Sequence, residues 1–289
     1  MSIATTPSVQ NRAIVMMVLA ILCFTAMDAS VKALTSQAGV VPALWARYAG
    51  QMAVVLILVA PRLSQVIRTR HPGTQILRSV LLLGTTLLFF TALARMPLHD
   101  AATLMAINPV LITLGAGLFL GEALGPRRKI GIVVSMIGAL IVLRPGSGVF
   151  TLDAVLPVGA ALCYSGYALL TRKVGRAEDP WTSLFYTGLV GTLVTSAIVP
   201  FFWQPLGWQG WCLFAMVAGF GTLAQMLLIR AFTLGEAAML APYSYSGLIF
   251  AMLWSALFFG AYPDLWTVCG ALVIAGAGLY VWHRETQSR

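Results

Sequence analysis

The chain has 289 residues, of which 59% are hydrophobic and only 9% charged, and its net charge is +9. An ordinary soluble domain carries roughly 25% charged residues, so this chain cannot cover a water-exposed surface, and its mean hydropathy of +0.88 makes a bilayer the solvent for most of it. Its long apolar runs exclude a β-barrel, whose strands would read as weak alternating segments of about ten residues.

Ten spans are predicted in chain order, over 14–34, 43–60, 76–94, 101–121, 130–143, 154–171, 182–201, 211–229, 237–259 and 265–282. A spanning helix needs roughly 20 predominantly apolar residues. The polar N-terminal stretch MSIATTPSVQNR leads straight into the first span. That span is too long for a signal-peptide core and no small-residue cleavage pattern follows it, so it reads as an uncleaved anchor. The fifth span is short and ends at Arg144-Pro145-Gly146, a stop signal.

Basic residues set the expected orientation. With the N-terminus in the cytoplasm, 14 of the 18 Lys and Arg fall on the inner side, among them Arg62, Arg68, Arg70, Arg127, Arg128 and Lys129. Lys32, Arg47, Arg95 and Arg144 take outer or outer-half positions. This positive-inside bias places both termini in the cytoplasm and accounts for the net charge without nucleic acid as a partner.

The chain repeats itself. LCFTAMDASVKA (22–33) in the first span matches LCYSGYALLTRK (162–173) in the sixth, and FLGEALGPRRKIG (119–131) aligns with FFGAYPDLWTVCG (258–270). Pro42 falls beside Pro180 with a slip of one. Several matches at nearly one shift and in one order mark two homologous halves, 1–150 and 151–289, of five spans each. Five is odd, so the second half enters the membrane upside-down relative to the first. Inverted repeats are the signature of secondary transporters, which alternate access by rocking one repeat against the other. The expected fold is therefore an all-α polytopic membrane protein of ten helices around a central cavity.

These residues also carry a resemblance. Cys23-Phe24-Thr25 with Lys32, Arg47, Ala92-Leu93, Asn108-Pro109 and Gly121-Glu122 with Gly131 resemble the drug/metabolite transporter superfamily and, within it, EamA-type exporters. The similarity covers essentially the whole chain and runs nearest to bacterial amino-acid exporters. It implies export of small amphipathic metabolites, with aromatic or large neutral amino acids as the expected substrates. Ala261 stands where that family often has a glutamate, so no mechanism needing that acid in both halves is implied.

The candidate site comes from polar residues at membrane depth. Pro109 in span four and Pro242 in span nine occupy corresponding helices of the two halves. Proline removes a backbone donor and breaks a helix, and breaks in corresponding helices point to a midplane binding site. Asn108 beside the first break, and Tyr243 and Tyr245 with Ser244 and Ser246 beside the second, are expected to face that site or, for the serines, to bond back to their own helix. Asp28 and Lys32 lie four apart on span one and share a face. Each costs about 2.5–3.5 kcal/mol at a helix centre, so they are expected either to line the cavity, where they would suit a zwitterion, or to snorkel to the outer interface.

Tyr164 and Tyr167 share a face of span six and could hold a cation over their rings or serve as belt anchors. Gln225 in span eight is ligand contact or interhelical glue, and Trp254, with Met27 and Met105, is an apolar pocket or packing. Trp203, Trp208, Trp211, Trp266 and Trp282 sit at span ends as belt residues. Glu122 belongs with the cluster Arg127-Arg128-Lys129 at the cytoplasmic interface, or carries protons. Gly117 and Gly121 permit close helix approach within one chain or between two.

No catalytic or metal site and no cofactor is expected. The chain has no HExxH and no GxxxxGK phosphate loop, its four cysteines stand singly, and His71, His99 and His283 fall in predicted loops or span edges, with His99 as an outer-loop cap. The expected partners are the lipid bilayer of a bacterial inner membrane and a small-molecule substrate. The competing readings are an exporter of other metabolites or drug-like cations, a phosphorylated-metabolite exchanger, which needs several cations converging on the cavity, and a membrane-embedded lipid-modifying enzyme.

Overall fold

The computed structural model describes residues 7–119, 126–143, 152–174, 178–234 and 240–286, and the described elements are all helical. They are α1 (Pro7–Ala38), α2 (Val40–Val59), a short α3 (Leu63–Val66), α4 (Pro72–Arg95), α5 (Leu98–Met105), α6 (Asn108–Phe119), α7 (Pro126–Leu143), α8 (Val155–Val174), α9 (Pro180–Ile198), α10 (Trp208–Leu234), α11 (Ser246–Phe259) and α12 (Leu265–Thr286). A 3-10 turn over Ala241–Tyr245 leads into α11. Among the described residues 5 helices are long and apolar enough to cross a membrane, and shorter apolar helices cover Leu98–Ile112, Val133–Val142, Val155–Thr171, Tyr243–Phe259 and Leu265–Tyr280. These account for the ten predicted spans.

Most helices extend beyond their predicted spans. α1 has 32 residues, which at about 1.5 Å rise per residue exceeds the roughly 30 Å hydrocarbon core, so its polar N-terminal turns lie outside the bilayer. Gly39 alone joins α1 to α2 and does so at φ 82, a left-handed conformation that favours glycine. α9 opens with Pro180 at its first position, and Asp179 caps it by accepting a hydrogen bond from the backbone N–H of Trp181 at 3.1 Å.

Spans four and nine are not continuous helices. The first stops at Met105 and restarts at Asn108 as α6, and the second passes through the 3-10 turn before α11 begins. In both cases the proline sits in the opening turn of the restarted element, where its missing N–H leaves no helical bond unmade. Span four also starts earlier than predicted. Only Met96 and Pro97 separate α4 from α5, so His99 enters the helix and is 4% exposed. This corrects its reading as an outer-loop cap.

Helix packing reproduces the repeat. α1 packs most extensively on α10, and the counterpart of α1 in the second half, α8, packs on α4, the counterpart of α10. Further contacts exchange in the same way, α2–α10 with α4–α9 and α6–α8 with α1–α11, and others join equivalent elements directly: α2 with α9, α7 with α12 and α5 with α11. Exchanging the halves therefore maps the packing onto itself.

Lipid supplies no hydrophobic drive between helices, so close approach and dispersion hold such a bundle together. At the α2–α9 contact the ring of Tyr48, 1% exposed, lies flat against Gly191, leaving no room for a Cβ. The Tyr48 hydroxyl meets Thr86 Oγ1 on α4 at 2.6 Å, so one side chain ties three helices. Leu118, Phe119, Ile57, Ile249 and Leu272 are exposed, as lipid-facing positions should be. Trp208, Trp211 and Trp266 are exposed at helix ends, where belt residues belong.

Candidate functional site

Helices from both halves, α1 and α2 of the first and α8 and α11 of the second, bring charge and aromatic surface together near mid-bundle. Asp28 of α1 lies deep within the bundle yet keeps accessible surface. A side chain that is deep but accessible faces an internal cleft. Among the described residues its carboxylate closes no ion pair within 4.0 Å, although the charge of Arg47 acts on it. Arg47 of α2 is 5% exposed. Its Nη1 lies 2.7 Å from Met27 Sδ, and its guanidinium stands 5.9 Å from the ring centres of both Phe24 and Tyr48. An acid and a base on neighbouring helices thus act on each other without a direct ion pair, and the base is backed by apolar and aromatic groups.

α8 supplies the facing wall. The rings of Tyr164 and Tyr167 sit 5.8 Å apart at 43°, and Tyr164 feels the charge of Arg47. One turn further along, Tyr167 lies under Arg78 of α4, whose guanidinium is 5.3 Å from its ring centre. Arg78 is held by the carbonyl of Ser183, which accepts from its Nη2 at 2.6 Å. A third wall comes from α11, where the Trp254 indole N–H donates to Thr25 Oγ1 at 3.2 Å and its ring stacks on Phe258. On α10, Gly221 packs against Met27 and Arg47, and half-buried Gln225, one turn on, shares its face.

Other predicted residues lie elsewhere. The Lys32 ammonium donates to the carbonyls of Leu93 at 2.9 Å and Met96 at 2.7 Å and stands 5.5 Å from the Phe259 ring centre. It caps the end of α4, where a helix dipole favours a cation, rather than pairing with Asp28. Tyr245 packs against Gly278 of α12 and the cluster of Ile107, Val110 and Ile274. Tyr243 packs among Ala13, Met17 and Leu240, near the N-terminal end of α1. Ser246 donates to the Tyr243 carbonyl at 2.7 Å, within its own turn. Asn108 opens α6, with its Oδ1 buried. Met105 packs beside both the central cluster and the α6–α12 cluster. Glu122 and Gly121 fall outside the described residues, and Gly117 lies in α6.

Arg47 is the residue whose site role sequence reasoning passed over. The available signal was a lone charge inside an otherwise apolar predicted span. His99 is a second. The apolar run Leu98, Ala101 and Leu104 already sets a helical face that includes the start of α5.

At the end of the bundle that carries the N-terminus, the loop between α3 and α4 is clasped to α9. Glu178 Oε1 accepts from Thr69 Oγ1 and from the Arg70 N–H, both at 2.8 Å, and the Tyr186 hydroxyl donates to the Ile67 carbonyl at 2.9 Å. Partial desolvation pushes the Glu178 carboxyl up, but hydrogen bonds from Thr69, Arg70, Gln75 and His71 outweigh it and hold the group below the usual carboxylate range.

Residues 11–144 and 152–282 each match the EamA-like transporter family. A riboflavin transporter of Vibrio cholerae is 29% identical over 83% of this chain and 83% of its own length. The pseudopaline exporter CntI of Pseudomonas aeruginosa is 28% identical over 91% and 93%. An S-adenosylmethionine uptake transporter of Rickettsia felis is 26% identical over 77% and 76%. A solved crystal structure shares the fold at a TM-score of 0.69 and 17% identity, covering 96% of this chain and 98% of that one.

Proposed function

The chain belongs to the EamA-like transporter family through both of its halves, and we propose that it exports amino acids with aromatic or large neutral side chains by alternating access. It is a multi-pass membrane transporter of small molecules and not an enzyme. The observation that carries the finer reading is the open pair of Asp28 and Arg47 facing the Tyr164–Tyr167 wall. The substrate ammonium meets Asp28, its carboxylate takes the fork of Arg47, and its side chain lies among Tyr164, Tyr167, Trp254 and Phe24. Gln225 borders the same space. Lys32 shapes the site by holding α4 against α1. The end carrying the N-terminus and Arg62, Arg68 and Arg70 faces the cytoplasm of a bacterial cell, as the positive-inside rule requires.

Amino-acid chemistry fits one of these relatives in part, since S-adenosylmethionine itself carries an α-amino acid group. A second reading is a flat neutral heteroaromatic such as riboflavin. It is favoured by the aromatic wall and by the riboflavin transporter that aligns over 83% of the chain. Counterflow in proteoliposomes separates the two, using labelled phenylalanine, leucine, riboflavin and one phosphorylated sugar. Saturable phenylalanine and leucine counterflow that falls at least tenfold in Asp28→Asn is expected. Riboflavin counterflow indifferent to Asp28→Asn would replace amino acids by the second reading. Sugar-phosphate counterflow would overturn both.

A further inference from the structure

The two broken spans pack helix on helix in their halves remote from the N-terminal end, while beyond the break Tyr245 of the 3-10 turn joins the cluster of Ile107 and Val110. α5 packs on α11, whereas α6 turns away to pack on α8 and α7, and the 3-10 turn before α11 packs on α1 and α12. At the α5–α11 crossing the His99 Nδ1 lies 2.8 Å from Ser255 Oγ, with His99 4% and Ser255 0% exposed. His99 Nε2 stands 3.4 Å from Asp100 Oδ1. That same carboxylate oxygen accepts from Thr267 Oγ1 of α12 at 2.9 Å, and the Thr267 N–H donates to Asp264 Oδ1 at 2.8 Å. Two adjacent residues of the first half therefore hold two helices of the second.

This polar knot sits in the part of the bundle where helices of opposite repeats must separate if the central site is to open outward. It is also tied to that site by the chain itself. Ser255 follows Trp254, whose indole bonds Thr25 on α1, and Lys32 on α1 caps the end of α4 two residues before α5 begins. A ligand that moves Trp254 moves Ser255.

We propose that His99 is a positioning residue of the transport cycle, and that its bond to Ser255, backed by the Asp100–Thr267 bond, is the latch that seals the outer side while the site faces the cytoplasm. The proposal rests on the alternating-access orientation above, but not on the identity of the substrate. A buried polar contact suits this role. Made, it is fully satisfied; broken, each partner is re-hydrated by outer water, so two discrete states are defined with little between them.

The test is side-specific accessibility. In a chain whose four cysteines, Cys23, Cys163, Cys212 and Cys269, are replaced by serine, Tyr164→Cys reports on the central cleft. A membrane-impermeant maleimide is applied to right-side-out and to inside-out vesicles. His99→Ala and Ser255→Ala should each raise outside labelling about five- to tenfold, the population change that one lost buried hydrogen bond produces. Inside labelling should fall, and His99→Gln, which keeps a hydrogen-bonding group, should stay near the parent. A purely structural role would loosen both faces alike. Outside labelling unchanged in both alanine variants, or raised equally on both faces, would overturn the latch. Phenylalanine counterflow is read in parallel on vesicles of the chain that keeps Tyr164. Its absence with the labelling shift intact would remove the amino-acid reading and leave the latch standing.

Discussion

The two halves of this transporter share a topology and differ in chemistry. In the first half the bundle holds half-buried Asp28 and buried Arg47, Arg78 and His99. The second half faces them with Tyr164, Tyr167, Trp254 and Gln225. The helix contacts are interchangeable under exchange of halves, while the groups at mid-bundle are not. Rocking between two access states needs a symmetric scaffold, because each half must be able to adopt the other's conformation. Recognition needs no such symmetry. A substrate with charged groups at one end and an apolar body at the other is matched by a site whose two halves carry charge and rings separately.

Removing the first half's charge should therefore have the largest effect. Arg47→Gln deletes a buried guanidinium and leaves Asp28 deep in the bundle without its opposing charge. Losing a charge-assisted hydrogen bond costs about 1.5–3 kcal/mol, and stranding a buried charge costs more. Counterflow kcat/KM should fall at least about 100-fold. The double variant Asp28→Asn/Arg47→Gln should expose less unpaired charge and regain thermal stability without regaining transport. If Arg47→Gln transports normally, charge is not how the first half contributes.

Much of this layout was legible from the chain. Hydropathy finds all ten spans, and the internal repeat finds their pairing. Pro109 and Pro242 mark both interruptions, because a proline's effect is local and needs no tertiary information. What was hidden depends on neighbours. Asp28 and Lys32 are four residues apart and do share a face, but a helix face is wide. Asp28 looks into the cleft while the longer Lys32 reaches the carbonyls of Leu93 and Met96. Those acceptors exist only because α4 ends there, which spacing along α1 cannot reveal. Tyr243 and Tyr245 lie at the predicted break, yet a 3-10 turn points successive residues about 120° apart, so one joins the α1 end and the other meets α12. His99 was misplaced by a boundary drawn a few residues late.

Shortening the second half's rings should have a smaller effect that depends on the substrate. Tyr164→Ala removes one face of the α8 wall but leaves the charges in place. An aromatic pair contributes about 0.5–1.5 kcal/mol beyond area, so half-saturation for phenylalanine should rise about tenfold and that for leucine less. Equal rises for both substrates would show that Tyr164 packs the helices and does not read the ligand.

The shared scaffold can be perturbed without touching either chemistry. Gly191→Val puts a branched side chain where the Tyr48 ring lies, wedging α2 from α9. Overpacking costs about 1–3 kcal/mol, so detergent-solubilised protein should melt several degrees lower, while the protein that remains folded keeps its half-saturation for phenylalanine. A changed half-saturation would mean that the α2–α9 contact sets the geometry of Arg47, and that scaffold and recognition are less separable than the two halves suggest.

The smallest effect is expected at the clasp on Glu178, which joins the halves in water and away from the site. Its folded-state carboxyl is held below its ordinary value by the hydrogen bonds from Thr69 and Arg70. A depressed group contributes stability above its unfolded value, and that stability is lost as pH falls through the folded value. Acidifying the side that carries the N-terminus below the ordinary carboxylate range should thus weaken the clasp, and Glu178→Gln should remove that acid sensitivity with a loss of no more than about 1 kcal/mol. The Tyr186–Ile67 bond, which involves no carboxylate, should persist in both cases, so limited proteolysis of the 63–71 loop should increase only modestly. A large increase would show that one exposed carboxylate holds this end of the halves together, making this contact as polar and as switchable as the His99 latch on the other side.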